Sequence, residues 1–222
     1  MPRVDLLETA DGSFSLYRAD IDETYHSRHG AKQESEHVFI KTGLLYFLNK
    51  WPEKQQISIF EVGFGTGLNF FLTLNSFPAS KNLFYHGVEK FPLEKNIHKK
   101  WLQQSTFLES ECCDKWIEAD WNNTINQQNI SLLKDECDFL DQKTFKPIYD
   151  IIYMDAFGFR AQEEMWTDDV CEKLFQLCAT NGVLVTYCAK GVVRRSLQKV
   201  GFICERLPGP LGKREMLRAI KP

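Results

Sequence analysis

The chain has 222 residues, 43% of them hydrophobic and 26% charged, which are ordinary values for a globular domain with a sizeable core. No apolar run approaches the ~20 residues that a transmembrane helix needs, and charges interrupt the first positions, so neither a membrane span nor a secretory leader is predicted. The formal net charge of −3 does not by itself indicate a polyanionic partner. We expect a cytoplasmic protein with one main domain.

Cysteine and histidine usage gives no sign of a disulfide framework or a metal site. The seven cysteines are odd in number, Cys112 and Cys113 are adjacent, and no Cys-x-x-Cys pair occurs. His26, His29 and His37 cluster in the sequence but lack the spacing of metal ligands, so polar loop roles are expected for them. We predict reduced thiols and no bound metal.

The elements before residue 57 form two groups. Residues 1–34 are polar and turn-rich, with a short strand predicted over residues 14–17, which indicates a small β-rich N-terminal extension. A helix is predicted from Ser35, its expected N-cap, to Trp51. The rest of the chain, residues 35–222, is expected to form a single compact domain.

From residue 57 onward, predicted strands and helices alternate. Strands are expected over residues 57–62, 83–89, 130–133, 148–154 and 183–187, and helices over 68–77, 92–103, 166–179 and 192–200. Pro92 suits the first position of its helix. Strands over 202–207 and 215–220 flank a Pro-Gly turn. This order predicts an α/β, Rossmann-like fold with a mostly parallel sheet, helices on both faces and a C-terminal antiparallel strand.

A glycine-rich turn lies between the first strand of this sheet and its helix. Glu61 precedes Gly63-x-Gly65-x-Gly67, at the place where open α/β sheets bind nucleotide-like ligands. The spacing lacks the Lys-Ser/Thr of a P-loop and departs from the Gly-x-Gly-x-x-Gly dinucleotide fingerprint. An acid here would repel a pyrophosphate but suits a sulfonium ligand that carries an amino group, which predicts S-adenosylmethionine.

Three further acids follow successive strands. Glu89 ends the second strand, where a carboxylate accepts both ribose hydroxyls of a nucleoside. Asp138 follows the third strand and is a candidate for the adenine edge, with Asp135 left open as the alternative. Asp155 ends the fourth strand and is expected to hold a substrate amine, orient it and take its proton. The simpler interpretation of Glu61 and Glu89 is a surface cap or a salt bridge, and that of Asp155 is a helix N-cap or a buried structural carboxylate.

Basic residues concentrate at the end of the chain. Residues 190–222 contain nine Lys or Arg against two Glu, a balance of +7 that leaves −10 for the remainder. We expect Arg194, Arg195, Lys213 and Arg214 to line a rim that contacts RNA phosphates. An ordinary solvated surface explains the same asymmetry, and charge alone does not separate the two.

With these residues identified, the chain resembles the methyltransferase domain of the bacterial tRNA 5-methylaminomethyl-2-thiouridine biosynthesis (MnmC-type) enzymes. The resemblance runs from about residue 25 to residue 221 and includes no counterpart of their FAD oxidase domain, so it is to a stand-alone form. The matching segments are Tyr25-x-Ser27 with Glu34 and Val38-Phe39; Gly63-Phe64-Gly65-Thr66-Gly67-Leu68-Asn69-Phe70; Glu89-Lys90-Phe91-Pro92-Leu93; Asp155-x-Phe157 with Met165-Trp166-Thr167; Gly191-x-Val193-Arg194-Arg195-x-Leu197-Gln198 with Gly201-Phe202; and Lys213-Arg214-Glu215-Met216-Leu217.

The resemblance implies methyl transfer from S-adenosylmethionine to the 5-aminomethyl group of a tRNA wobble uridine, with Asp155 as the catalytic residue. The residues expected to bind the cofactor are Glu61, Gly63, Phe64, Gly65, Gly67, Asn69, Glu89 and Asp138. Gly158-Phe159-Arg160 and Glu163 depart from the family pattern near the substrate, where a small residue and prolines are usual.

Three other functions share some of these features. A methyltransferase that acts on a small-molecule amine would use the same cofactor site and the same catalytic acid. The glycine spacing and Glu61 argue against an NAD-linked oxidoreductase, and Asp155 argues against a catalytically inactive binding module. The basic C-terminal end favours RNA over a metabolite only modestly.

Overall fold

The computed structural model describes residues 4–105, 110–141 and 148–222. The strands are β1 (Val4–Glu8), β2 (Phe14–Arg18), β3 (Glu23–Thr24), β4 (Gln56–Val62), β5 (Asn82–Glu89), β6 (Thr124–Gln127), β7 (Ile130–Glu136), β8 (Tyr149–Met154), β9 (Cys178–Thr186), β10 (Ile203–Pro208) and β11 (Glu215–Ile220). The α-helices are α1 (Ala31–Ser35), α2 (Tyr46–Lys50), α3 (Leu68–Ser76), α4 (Lys95–Gln104), α5 (Ser110–Glu118), α6 (Asp168–Leu177) and α7 (Gly191–Lys199). A π-helix, Glu36–Leu45, joins α1 to α2, and a 3₁₀-helix, Glu163–Trp166, precedes α6.

Within the part of the chain that the structure describes, eight strands form the main sheet in the order β10-β11-β9-β8-β4-β5-β7-β6. The five central strands, β9 to β7 in that order, are parallel, whereas β11 runs antiparallel to β9 and β6 antiparallel to β7. The expected mostly parallel sheet with a C-terminal antiparallel strand is therefore confirmed. The chain leaves β4 toward β5 on one side and later returns to β8 on the other, which opens a crevice at the carboxyl end of β4.

Alternate residues of the central strands pack on opposite faces of the sheet. On one face, Ile57, Ile59 and Tyr153 belong to a core that includes residues of the π-helix, α3 and α4. On the other face, Phe60 and Ile152 pack with residues of α6 and α7. Burial on both faces explains why these strands read as nearly continuous apolar runs.

The first helical segment begins earlier than the sequence predicts. Ser35 is not its N-cap, because α1 starts at Ala31. The N–H groups of Ala31 and Lys32 donate to Ser13 Oγ at 3.1 and 3.2 Å, and that of Gln33 donates to Asp11 Oδ2 at 3.1 Å. The cap thus comes from the β1–β2 turn, a tertiary contact that local sequence does not reveal.

Pro92 is not the first residue of its helix either. Helix α4 begins at Lys95, and the backbone N–H groups of Ile97 and His98 donate to the carbonyl of Glu94. The preceding residues are held by Glu89, whose Oε1 accepts the N–H of Phe91 at 2.9 Å. The short elements β1, β3, β6 and α5 were not predicted.

The N-terminal residues form a separate three-stranded antiparallel sheet, β1-β2-β3. It is fixed to the main domain by Trp101 of α4, whose Nε1 donates to the carbonyl of Phe14 at 2.8 Å. A domain boundary near residue 34 stays a prediction. No helix within the described residues is long and apolar enough to cross a membrane.

Candidate active site

The glycine-rich turn after β4 adopts a conformation that favours glycine at three positions. Gly63, Gly65 and Gly67 have φ of +87°, +53° and +75°, in the left-handed region where other residues are strained. A Cβ on Gly63 would lie 2.7 Å from the carbonyl oxygen of Asp155. The turn therefore brings the end of β4 directly against the end of β8.

A cavity lies beyond this turn, at the carboxyl ends of β4, β5 and β8. Of the eight predicted cofactor residues, it is lined by Gly63, Phe64, Gly65, Asn69, Glu89 and Asp138, and Asp155 lines it as well. We call it the first cavity. Gly67 is not among its lining residues, because it turns the backbone into α3 as that helix's left-handed N-cap.

The side chain of Phe64 is buried and packs against neighbouring residues, although Phe64 also lines the first cavity. Its ring is 4% exposed, lies edge-on to Trp121 with centroids 5.9 Å apart, and fills the space above Gly87. Any side chain at position 87 would collide with that ring. Gly87 was not predicted from the sequence, since a glycine inside a strand signals a close approach without naming the partner.

Glu89 is held in place by the backbone of two loops. Its Oε2 accepts the N–H of Gly65 at 3.0 Å and its Oε1 that of Phe91 at 2.9 Å. Burial raises the pKa of Glu89, and these backbone hydrogen bonds oppose the shift. Because a carboxylate has about four acceptor positions, each oxygen retains capacity for a hydroxyl group in the first cavity.

Asp138 lines the first cavity, whereas Asp135 is not among its lining residues. Asp138 Oδ2 pairs with Lys90 Nζ at 2.6 Å and its Oδ1 accepts the N–H of Leu140 at 2.9 Å. Asp135 is engaged by His86, whose Nε2 is 2.9 Å from Oδ2. Of the two open alternatives, the geometry favours Asp138.

Asn69 connects two buried acids, Glu61 and Asp155. Its Nδ2 donates to Glu61 Oε1 at 2.7 Å and to Asp155 Oδ2 at 2.8 Å. The hydroxyl of Tyr85 donates to the other oxygen of Glu61 at 2.7 Å. Glu61 is 1% exposed and does not line the first cavity. Glu61 is thus separated from the first cavity by Asn69, and its contact with the cofactor stays a prediction.

The pKa values of both Glu61 and Asp155 are raised above those of ordinary carboxyl groups. Burial raises the pKa of Glu61 to about 8, against the hydrogen bonds from Tyr85 and Asn69. Burial, and then the nearby Glu61 carboxylate, raise the pKa of Asp155 well above its ordinary value. A carboxylate with a raised pKa is a better proton acceptor. Asn69 Oδ1 is buried and has no hydrogen-bond partner among the described residues.

A second cavity adjoins the first and shares Tyr25, His26, Asp155 and Tyr187 with it. Asp155 therefore stands between the two spaces. The second cavity is further lined by Glu23, Ser27, Glu34, Phe39, Gly158 and Lys213. Burial lowers the pKa of His26 to about 4, so its ring is neutral at pH 7.

The N-terminal residues at this site had no role assigned from the sequence. Arg18 of β2 lines the first cavity, is 7% exposed, and its guanidinium lies 5.3 Å from the ring centroid of Phe91 and 5.6 Å from that of Phe157. Two sequence features could have indicated a role for these residues. Arg18 directly follows the predicted strand over residues 14–17, and the Tyr25-x-Ser27 segment belongs to the resemblance. The N-terminal segment thus forms part of the site's wall.

The four basic residues of the predicted RNA rim do not behave alike. Arg195 and Arg214 are exposed and form no ion pair within the part of the chain that the structure describes. Arg194 is partly buried on α7. Lys213 pairs with Glu34 inside the second cavity, and its Nζ lies 3.8 Å from the ring centroid of Tyr187. Lys213 therefore lies in the second cavity, unlike the exposed arginines, and RNA contact by the four residues stays a prediction.

The segment that departs from the family pattern lies at the edge of the second cavity. Gly158 lines it, and Lys190 Nζ lies over the ring of Phe159, 4.3 Å from its centroid. The Nη2 atom of Arg160 lies 3.6 Å from Oε1 of Glu23. Glu163 begins the 3₁₀-helix that precedes α6.

Within the described ranges no cluster of three or more His, Cys, Asp or Glu side chains is arranged to hold a metal ion.

Comparisons with known proteins show similarity to methyltransferases. A family model described as S-adenosyl-L-methionine-dependent methyltransferase matches residues 97–222. The bifunctional tRNA 5-methylaminomethyl-2-thiouridine biosynthesis protein MnmC of Campylobacter hominis is 31% identical over 212 residues, which cover 92% of this chain and 31% of that protein. Its counterpart in Leptospira interrogans is 33% identical over 213 residues, covering 88% and 32%. The chain thus spans about a third of the length of these curated relatives.

Solved structures show the same fold. The crystal structure of MnmC2 from Aquifex aeolicus aligns with a TM-score of 0.78 and 24% identity, over 100% of this chain and 73% of that one. The structure of DesVI from Streptomyces venezuelae aligns with a TM-score of 0.52 and 10% identity, over 86% and 93%.

Proposed function

Because the chain belongs to the family of S-adenosyl-L-methionine-dependent methyltransferases, we propose that it methylates the 5-aminomethyl group of a tRNA wobble uridine, with or without 2-thiolation. The observation that carries the proposal is the position of Asp155, which lines both cavities and has a raised pKa. A group in this position contacts the methyl donor on one side and the methyl acceptor on the other.

The chemistry of the first cavity fits S-adenosylmethionine. The left-handed backbone of Gly63 and Gly65 lines the first cavity, and Glu89 retains acceptor capacity for ribose hydroxyls. Asp138 and the apolar Phe139 and Leu140 suit an adenine ring. The buried, unpartnered Oδ1 of Asn69 is an acceptor for the ligand's ammonium group. When bound, the cofactor supplies an electrophilic methyl group on a positively charged sulfur.

Asp155 performs the proton chemistry in this proposal. An alkyl amine is largely protonated at neutral pH, since its pKa resembles the ~10.4 of lysine, and its nitrogen has no free lone pair in that form. The Asp155 carboxylate binds the ammonium group, accepts one of its protons and frees the lone pair. The freed lone pair would attack the methyl carbon that the bound cofactor supplies, and the carbon–sulfur bond would break with its electron pair left on sulfur as a neutral thioether. Asn69 fixes Asp155 through the hydrogen bond to Oδ2, so the acceptor oxygen is oriented.

Two features support RNA as the carrier of this amine. The relatives that the chain matches are named for tRNA 5-methylaminomethyl-2-thiouridine biosynthesis. The exposed Arg214 follows Lys213, a lining residue of the second cavity, and adds positive charge beside it, and Arg195 is a further exposed cation on α7. Exposed arginines bind phosphate without sequence preference, which leaves recognition of the base to the second cavity.

A competition experiment tests the proposal. The protein is incubated with S-adenosylmethionine and an equimolar mixture of spermidine and an anticodon stem–loop that carries one 5-aminomethyluridine. Mass spectrometry of the nucleosides and the amine then identifies the methylated species. We expect methylated aminomethyluridine and unmodified spermidine. Methylated spermidine with unmodified RNA would replace the proposal by a small-molecule amine methyltransferase.

A further inference from the structure

The second cavity contains an ion pair that the methyl-transfer chemistry does not use. Lys213 donates to Glu34 Oε1, and the N–H of Ser27 donates to Glu34 Oε2 at 3.1 Å. Glu34 is only 8% exposed. The Lys213 ammonium also lies over the ring of Tyr187, 3.8 Å from its centroid. Both members of the pair are thus held in position beside Asp155.

Each member retains capacity for another hydrogen bond. An ammonium group has three N–H donors; one is used by Glu34 and one faces Tyr187, so one remains. A carboxylate has about four acceptor positions, and two of those on Glu34 are occupied. The pair is electrically neutral as a unit, so a neutral ligand that binds there buries no unpaired charge. The cavity wall therefore presents a donor next to an acceptor.

This arrangement matches one edge of a uracil ring. In a 5-aminomethyluracil the aminomethyl group, the O4 acceptor and the N3–H donor follow each other around the ring. With the amine at Asp155, O4 meets the Lys213 donor and N3–H meets the Glu34 acceptor. A cytosine ring has a 4-amino donor and an N3 acceptor, which reverse both partners. Phe39, Tyr25 and Tyr187 provide aromatic walls for a flat ring.

We propose that Lys213 and Glu34 form the base-reading pair of the second cavity, which selects a 4-oxo, N3–H pyrimidine and rejects a 4-amino pyrimidine. The proposal rests on the proposed function, since it assumes that Asp155 receives an aminomethyl group. Lys213 and Glu34 are specificity-determining residues here, and phosphate binding is left to other basic side chains.

The test compares two stem–loop RNAs that differ only in carrying 5-aminomethyluridine or 5-aminomethylcytidine. We expect wild-type kcat/KM to favour the uridine RNA by about 10- to 100-fold, because unpaired buried polar groups oppose binding of the cytidine. Lys213→Met is expected to lower kcat/KM on the uridine RNA about 10-fold or more and to reduce the ratio between the two substrates. Glu34→Gln is expected to reduce the ratio too, because its amide can donate to the N3 of cytidine.

Arg214→Met is the matched control, because it removes an adjacent, exposed positive charge. It should lower kcat/KM on both RNAs equally and leave their ratio unchanged. Binding of S-adenosylhomocysteine by calorimetry verifies that each variant is folded. A wild-type ratio near one, or equal losses on both RNAs in folded Lys213→Met and Glu34→Gln, would overturn the base-reading pair alone. If the wild type methylated neither the uridine RNA nor the cytidine RNA, the proposed function would be overturned as well.

Discussion

The replacement Glu61→Gln exposes the energetic cost of an acid in the core. The pKa of Glu61 rises from 4.5 to about 8 in the folded protein. At ~1.4 kcal/mol per pKa unit, that shift corresponds to at most on the order of 5 kcal/mol. Glutamine has the shape of a protonated glutamate and does not titrate, so the substituted side chain can keep hydrogen bonds with Tyr85 and Asn69.

The sign of the effect follows from the direction of the shift. A raised folded-state pKa means that the folded protein holds the Glu61 proton more tightly than the unfolded chain does. The stability that this provides is fully present below about pH 4.5 and is lost as the pH rises toward 8. Wild type should therefore lose up to roughly 1.4 kcal/mol per pH unit relative to Glu61→Gln within that window.

Urea unfolding at several pH values between about 5 and 8 measures the difference. Because Asp155 also has a raised pKa and is coupled to Glu61, the clean comparison is Asp155→Asn against the Glu61→Gln/Asp155→Asn double variant. The free-energy gap should widen by about 3 kcal/mol between pH 5.5 and 7.5. A gap that stays constant, or one that narrows as the pH rises, would refute the assignment of Glu61 as a buried acid with a raised pKa.

Other predictions concern the cofactor and the RNA. Glu89→Ala should weaken S-adenosylhomocysteine binding by about 1.5–3 kcal/mol in calorimetry, and an unchanged affinity would mean that Glu89 does not bind the ribose. Gly63→Ala should reduce that affinity at least ~10-fold, since its Cβ would lie 2.7 Å from the Asp155 carbonyl at a positive φ, whereas Gly158→Ala, with its nearest neighbour at 4.0 Å, is the control. In the Arg195→Ala/Arg214→Ala variant, the slope of log binding constant for tRNA against log salt concentration should become shallower by about 0.7–0.9 for each phosphate that is no longer neutralised. A wild-type slope would assign both arginines to an ordinary solvated surface.

Local sequence patterns predicted the part of the fold that places the cofactor turn. The β-branched and aromatic run that ends at Val62, followed by glycines at fixed spacing, defines a buried strand and its crevice without reference to other residues. The final strand was predicted with the bounds Glu215–Ile220 that the structure has. These features depend on residues close together in the chain.

Features that depend on distant residues were not predictable. The α1 cap comes from Ser13, and the close packing of Phe64 on Gly87 joins the glycine-rich turn to β5 through a ring contact. In the sequence Lys213 is one basic residue among many, and only the fold brings the β10–β11 turn that carries it beside Glu34, 179 positions away. The sequence shows that Glu61 lies near the end of a strand, just before the glycine-rich turn, and this position suggests an acid that faces a ligand. It does not show that Tyr85 and Asn69 surround the side chain.

The position of Asp155 between a donor cavity and an acceptor cavity is central to the proposed mechanism. Asp155→Asn keeps the size of the side chain but removes its ability to accept a proton. The most direct measurement is a single-turnover reaction with trideuteromethyl-labelled cofactor and the aminomethyluridine stem–loop, read by nucleoside mass spectrometry. We predict label on the exocyclic nitrogen in wild type, and a rate reduced by about 100-fold or more in Asp155→Asn with cofactor affinity retained. Label on another atom of the nucleoside, or a near wild-type rate in the variant, would contradict the role assigned to Asp155.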